Sequence, residues 1–212
     1  MTTHRPDRRR LLALLPVAAA TLLAGCDRGG AAGGSRPAAF NGVDVTGAEY
    51  GRALALTDVE GRRRTLADFK GKVAVVFFGY TQCPDVCPTT MAELAQIRRD
   101  LGPDGSRLQG IFITVDPERD TPEALKAYMA GFDPSFVALR GTPDETAAAA
   151  KDFKVFFAKV PSKAPGGGYT VDHTAGSFVI DAQGRLRLFE RYGTPPQALA
   201  ADLKRLLKEG EG

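Results

Sequence analysis

Three side chains in this 212-residue chain have the chemistry of a soft-metal or redox centre. Two are Cys83 and Cys87 in GYTQCPDVCPTT, residues 79–90, four apart with a proline after each. The third is His173 in YTVDHTAGSFVID. Two Cα atoms four apart in a turn lie about 6 Å from each other, within the range a disulfide tolerates. The pair can therefore close as a disulfide or open as two converging thiolates. Pro88 lacks an N–H and suits a first helical turn, which places Cys87 at the N-cap and Cys83 in the preceding loop. A thiol there faces the positive end of the helix dipole, so its pKa is expected below the free value of roughly 8.5. Two thiolates hold a soft metal poorly without another donor, and His173 is the candidate. Two thiolates and an imidazole suit Cu(I), suit Cu(II) if one more donor completes a tetragonal site, and also match a catalytic zinc.

These residues need a scaffold that brings them together. KVAVVFFG (72–79) and GIFITV (110–115) are continuous apolar runs, the pattern of strands buried on both faces. Residues 88–101 carry Met91, Leu94, Ala95, Arg98 and Leu101 in helical register, Arg98 being the polar exception. Further helices are expected over 122–131, 143–153 and 195–208, with a short strand over 136–141. Thr121, Thr142 and Thr194 each precede a proline, which predicts three capped helix starts; Glu145 and Gln197 complete capping boxes for the last two. RALALTDVEGRRRTL reads as a hairpin turning near Glu60-Gly61, and SFVID with RLRLFER as another across Ala182-Gln183-Gly184. Buried strands alternating with helices, plus a late hairpin, predict an α/β fold around a mixed sheet. Cys83 follows the first buried strand at its C-terminal end, where such folds hold ligands, and His173 is expected on a loop before the strand at 177–181.

The N-terminus bears on compartment. MTTHRPDRRR and then LLALLPVAAATLLAG give a basic start and a fifteen-residue apolar stretch, too short for a spanning helix but suited to a signal peptide. It ends in Leu23-Ala24-Gly25-Cys26, which resembles a bacterial lipobox, so residues 1–25 read as a lipoprotein signal with Cys26 as the lipidated residue. Residues 26–39, rich in Gly and Ala, read as a flexible tether, and 40–208 as one folded domain. The chain has 28 Lys and Arg against 25 Asp and Glu. Losing the leader removes four arginines and one aspartate, leaving 24 of each, and no basic stripe favours nucleic acid. Removal also takes His4, and lipidation consumes Cys26, so the mature chain keeps two thiols and one imidazole. A surface histidine is the plainer reading of His173; being the sole imidazole beside the sole thiol pair favours the ligand.

FFGYTQCPDVCPTTMAEL, ITVDPERDTPEAL and VDHTAGSFVID together resemble the Sco/SenC family of copper-binding proteins over roughly residues 50–207. The resemblance implies a thioredoxin-like fold: a mixed central sheet flanked by helices, here with an N-terminal hairpin extension. In such folds the loop before the late strand faces the redox cysteines and carries a cis-proline; this chain has no proline between Pro165 and Pro195 and has His173 instead. The family's copper ligands fall on Cys83, Cys87 and His173, and its redox-active disulfide on Cys83–Cys87. The implied role is a membrane-tethered copper chaperone, exported to the periplasmic or extracytoplasmic side, that assists assembly of the copper site of cytochrome c oxidase. Implied partners are the oxidase's copper-bearing subunit and a thioredoxin-like reductant or another copper chaperone. Many members carry a transmembrane anchor where this chain has a lipobox.

Around this set, Asp116 ends the second buried strand and either orients a group of the site or only turns with Pro117. Asp172 is a candidate acceptor for the His173 ring. Asp120 and Glu123 read as helix-capping acids, Asp85 as a solvated residue between the thiols, and Met91 as core. Besides the copper chaperone stand a thiol–disulfide reductase keeping a partner's copper-binding cysteines reduced, a peroxiredoxin-type peroxidase, and a purely structural disulfide. The missing proline disfavours a general oxidoreductase, and CPDVCP does not suit a peroxidatic cysteine.

Overall fold

A computed structural model describes residues 39–161 and 167–210. Its centre is β4 (Val73–Gly79), all seven residues buried. β5 (Leu108–Thr114), equally buried, pairs parallel with β4, and β6 (Val137–Arg140) parallel with β5. On the other side β9 (Gly176–Ile180) runs antiparallel to β4, followed by β10 (Leu186–Arg191) and β1 (Val43–Asp44). β2 (Ala55–Asp58) joins β6 antiparallel and carries β3 (Arg63–Thr65) at the edge. The order β1-β10-β9-β4-β5-β6-β2-β3 makes one mixed eight-stranded sheet, and the N-terminal hairpin belongs to it. β7 (Phe157–Pro161) and β8 (Tyr169–His173) form a separate two-stranded ribbon.

Alternation along β4 divides the core. Phe77 packs against Phe112, which meets Tyr128 of α2 (Pro122–Ala130). Its neighbour Phe78 turns the other way, onto Phe153 just after α3 (Pro143–Asp152) and onto Phe178. α1 (Val86–Asp100) packs on β5 and on α4 (Pro196–Glu209), and α4 in turn on β4. Arg98, the polar member of the α1 stripe, spends its guanidinium on the backbone carbonyls of Gly105 and Leu108 and on Asp133. It thereby satisfies the turn that leads from α1 into β5.

Three local expectations need correction. Thr121 and Thr142 do cap their helices, the latter in a complete capping box with Glu145. Thr194 does not: α4 starts after Pro195 with no side-chain cap. The N-cap of α1 is Asp85, and Cys87 is the second residue inside the helix. His173 is the last residue of a strand rather than a loop residue, because the segment before β9 folds back on β7, pairing Phe157 with His173.

Candidate metal centre

Gly79, the end of β4, opens the centre. A Cβ there would lie 2.8 Å from the Cys87 sulfur and 2.9 Å from both Phe77 and Phe112, so only glycine lets the helix approach the strand this closely. The chain then turns through Tyr80–Pro84. The Cys83 N–H donates to the Tyr80 carbonyl (3.2 Å), and Asp120 holds Thr81 through its N–H and through its hydroxyl at 2.6 Å. Asp120 is fully buried and also accepts from Thr114 at the end of β5. It clamps the cysteine loop to the neighbouring strand, a role its place before a helix concealed; the capping is done by Thr121.

His173 arrives from the far side on β8. Its Nε2 lies 3.5 Å from Cys87 Sγ, and the Cys87 N–H points at Cys83 Sγ, also at 3.5 Å. The two sulfurs and one ring nitrogen all lie within 4.8 Å of one another. His173 Nδ1 is 3.1 Å from the Thr174 carbonyl, which can only accept, so Nδ1 carries the proton and the Nε2 lone pair faces the sulfurs. Phe77 and Tyr80 hold the ring edge-on at 5.8 and 6.1 Å.

Both cysteines are free thiols in this structure. Cys87 is wholly buried and Cys83 half-buried. Burial pushes the Cys87 thiol well up, outweighing the hydrogen bond from the Tyr80 backbone that favours its thiolate. The helix dipole therefore does not make it the acidic thiol expected of an N-cap cysteine. Burial also lowers the His173 pKa, opposed by the Thr174 carbonyl and by the charge of Asp172. The neutral imidazole that a metal requires is thus the favoured form.

The chain matches the family model described as SCO1/SenC across residues 44–208. This chain belongs to the SCO1/SenC family. It is 36% identical over 137 residues to the SCO2-like protein RP587 of Rickettsia prowazekii, covering 65% of this chain and 67% of that one. Among solved structures it is similar to Bradyrhizobium japonicum ScoI with copper bound, at 40% identity and a TM-score of 0.64, covering 79% of this chain and 99% of that one. It is also similar to a SCO1/SenC family lipoprotein from Bacillus anthracis, at 26% identity and a TM-score of 0.62, again covering 79% and 99%. The sheet and helices are those of the thioredoxin-like Sco structures.

Around the three donors of this SCO1/SenC chain lies a polar support. Asp116 is buried and touches neither sulfur nor imidazole. It accepts from the Tyr169 hydroxyl (2.9 Å) and pairs with Arg119. Arg119 also donates to the Tyr169 carbonyl (2.8 Å) and to Gln82 (3.1 Å), and lies 3.8 Å over the Tyr169 ring. It ties the start of β8 to the cysteine loop. Asp172 is exposed and pairs with Ala158 across the ribbon; the acceptor for the ring is Thr174. Met91 is in the core, and Asp85 is exposed at the helix start. Cys26 lies outside the described residues. Among the described residues no helix is long and apolar enough to cross a membrane.

Proposed function

We propose that this chain binds one copper ion through Cys83 Sγ, Cys87 Sγ and His173 Nε2 and serves assembly of the copper site of cytochrome c oxidase. The observation that carries the reading is the convergence of those three atoms within 4.8 Å, with the ring's lone pair turned inward. Two thiolates and an imidazole form a donor set that copper prefers and that hard cations do not. Ligation would release the thiol protons, and the copper–sulfur bond would offset the cost of ionising the buried Cys87. A lipid on Cys26 and the Gly-rich stretch after it would tether the domain to the extracytoplasmic face of the membrane. The copper-bearing subunit of the oxidase is the receiving partner, and a thioredoxin-like reductant or another copper chaperone the supplier of electrons or metal.

The test is a copper titration of the reduced protein beside its His173→Ala and Cys87→Ser variants. One equivalent is expected, with sulfur-to-Cu(II) charge-transfer absorption that His173→Ala largely loses, while Cu(I) binding by the two thiolates persists. Unaltered spectra in His173→Ala would overturn the assignment.

A thiol–disulfide reductase role has its own support in the asymmetry of the pair. The accessible Cys83 can attack a partner's disulfide, and the buried Cys87 then displaces the partner's thiol, closing Cys83–Cys87. Two electrons pass to the partner, and two protons leave the pair and reach the partner's sulfurs.

A further inference from the structure

At the opposite end of the sheet from the cysteines is a cleft of about 760 Å³ whose lining holds four cations and no carboxylate. Arg52, Lys70, Arg185 and Arg187 surround it over Leu66 and Leu186. The buried Asp181 accepts from Arg185 (2.8 Å) and Arg187 (3.3 Å), and Arg187 also reaches Glu209 (3.0 Å). The Arg52 guanidinium donates to the Ala48 carbonyl and its backbone N–H to the Asp152 carboxylate (2.8 Å), and among the described residues neither that guanidinium nor the Lys70 ammonium is in a salt bridge. Two of the four cations are therefore outside any salt bridge among the described residues.

The place of the cleft in the chain decides what it meets. The domain begins at Phe40, which lies under the guanidinium groups of Arg205 (4.0 Å) and Arg187 (5.7 Å). The chain then runs through β1 and forms one wall of the cleft at Thr46–Ala48, where Thr46 accepts from Arg187 at 3.0 Å. The segment joining the domain to its tether and the basic cleft are one surface. Lys70 stands just before β4 and Cys83 just after it, and seven strand residues at about 3.3 Å each separate them by about 20 Å.

We infer that this cleft is a membrane-facing surface that takes anionic phospholipid headgroups and so points the metal centre away from the bilayer, toward partners in the aqueous space. The inference rests on the tethered reading above. A tether alone leaves the domain free to tumble; cations beside its root bias it to one orientation, by an attraction that reaches only about a Debye length and weakens with salt.

The test uses the full lipidated chain in vesicles either rich in phosphatidylglycerol or made only of phosphatidylcholine. Flotation reports the tether; acylation of Lys70 by a water-soluble reagent reports the cleft. On anionic vesicles Lys70 should react about fivefold more slowly, the slowing should vanish in high salt and in Arg52→Glu, and Cys83 should alkylate equally on both. The copper spectrum of Arg52→Glu should be unchanged. Floating protein with equal Lys70 rates would overturn the surface and leave the tether standing. Protein that floats with neither vesicle would overturn both. Protection by inorganic phosphate on phosphatidylcholine vesicles would make the cleft a small-anion site and overturn the membrane assignment, and slowing of Cys83 along with Lys70 would overturn the orientation.

Discussion

The imidazole of His173 stands 3.5 Å from the sulfur of Cys87, a residue 86 positions earlier in the chain. A proton on Nε2 would occupy the lone pair that a metal needs. Because burial lowers the ring's pKa, the reduced, metal-free protein should show a His173 titration midpoint below 6.5 by NMR. The sign for stability follows: an imidazole held neutral favours the folded state above pH 6.5, and that contribution is lost as pH falls through the lower folded-state value. Cu(II) affinity should weaken over the same acid range. A midpoint above 6.5 would contradict this environment.

Cys83 should be alkylated well before Cys87. The former is half-buried in a loop, the latter fully buried with its thiol pushed toward the neutral form. Mass mapping of a short iodoacetamide pulse on reduced protein checks this; preferential labelling of Cys87 would restore the dipole-activated thiol that its helical position suggests.

Gly79→Ala should cost about 1–3 kcal/mol in denaturant unfolding, since the new methyl meets Cys87 Sγ, Phe77 and Phe112 at under 3.0 Å. It should also displace a sulfur and lower copper occupancy. A variant as stable as wild type would mean that α1 moves off the strand without penalty.

Arg119→Lys keeps a positive charge but loses the fork that reaches Asp116, Gln82 and the Tyr169 carbonyl together. Cu(II) affinity should drop about tenfold, with faster hydrogen exchange along Tyr169–His173 and little change in Cu(I) binding. Unchanged exchange along β8 would remove the positioning role.

Glu190 on β10 is buried beside Asp202, which is itself engaged by the N–H groups of Asn41 and Gly42. Burial first, and the Asp202 carboxylate second, push its pKa up to about 7. An acid raised in this way stabilises the fold below its unfolded value near 4.5, and that stability is lost as pH rises toward 7. Glu190→Gln should therefore raise the melting temperature at pH 8 relative to wild type and change it little at pH 5. Parallel melting curves at both pH values would refute the shift.

The parts of this fold legible in sequence are those where local chemistry and tertiary context agree. The apolar runs at 72–79 and 110–115 could be placed because strands buried on both faces read as near-continuous apolar runs, and Thr142 because Glu145 answers it within one turn. That Cys83, Cys87 and His173 converge was legible from their scarcity. The neutral thiol of Cys87 is not legible in sequence because a dipole acts over one turn, whereas the burial that outweighs it exists only in the fold. The β7–β8 ribbon was missed because FAKVP is half exposed and lacks alternation. Asp120 and Arg119 stand in a stretch that reads as a turn and helix start, and their partners, Thr81 and Tyr169, are 39 and 50 residues away.

The two halves of the donor set reach the centre by different routes. The thiols come from a turn that follows β4 directly. The imidazole comes from the end of a two-stranded ribbon that Arg119 holds at Tyr169. During synthesis or export the sulfurs therefore emerge at least 86 residues before the imidazole of His173. The three atoms converge only once β8 is in place, so a third bond to copper at the proposed site would report that this ribbon has docked.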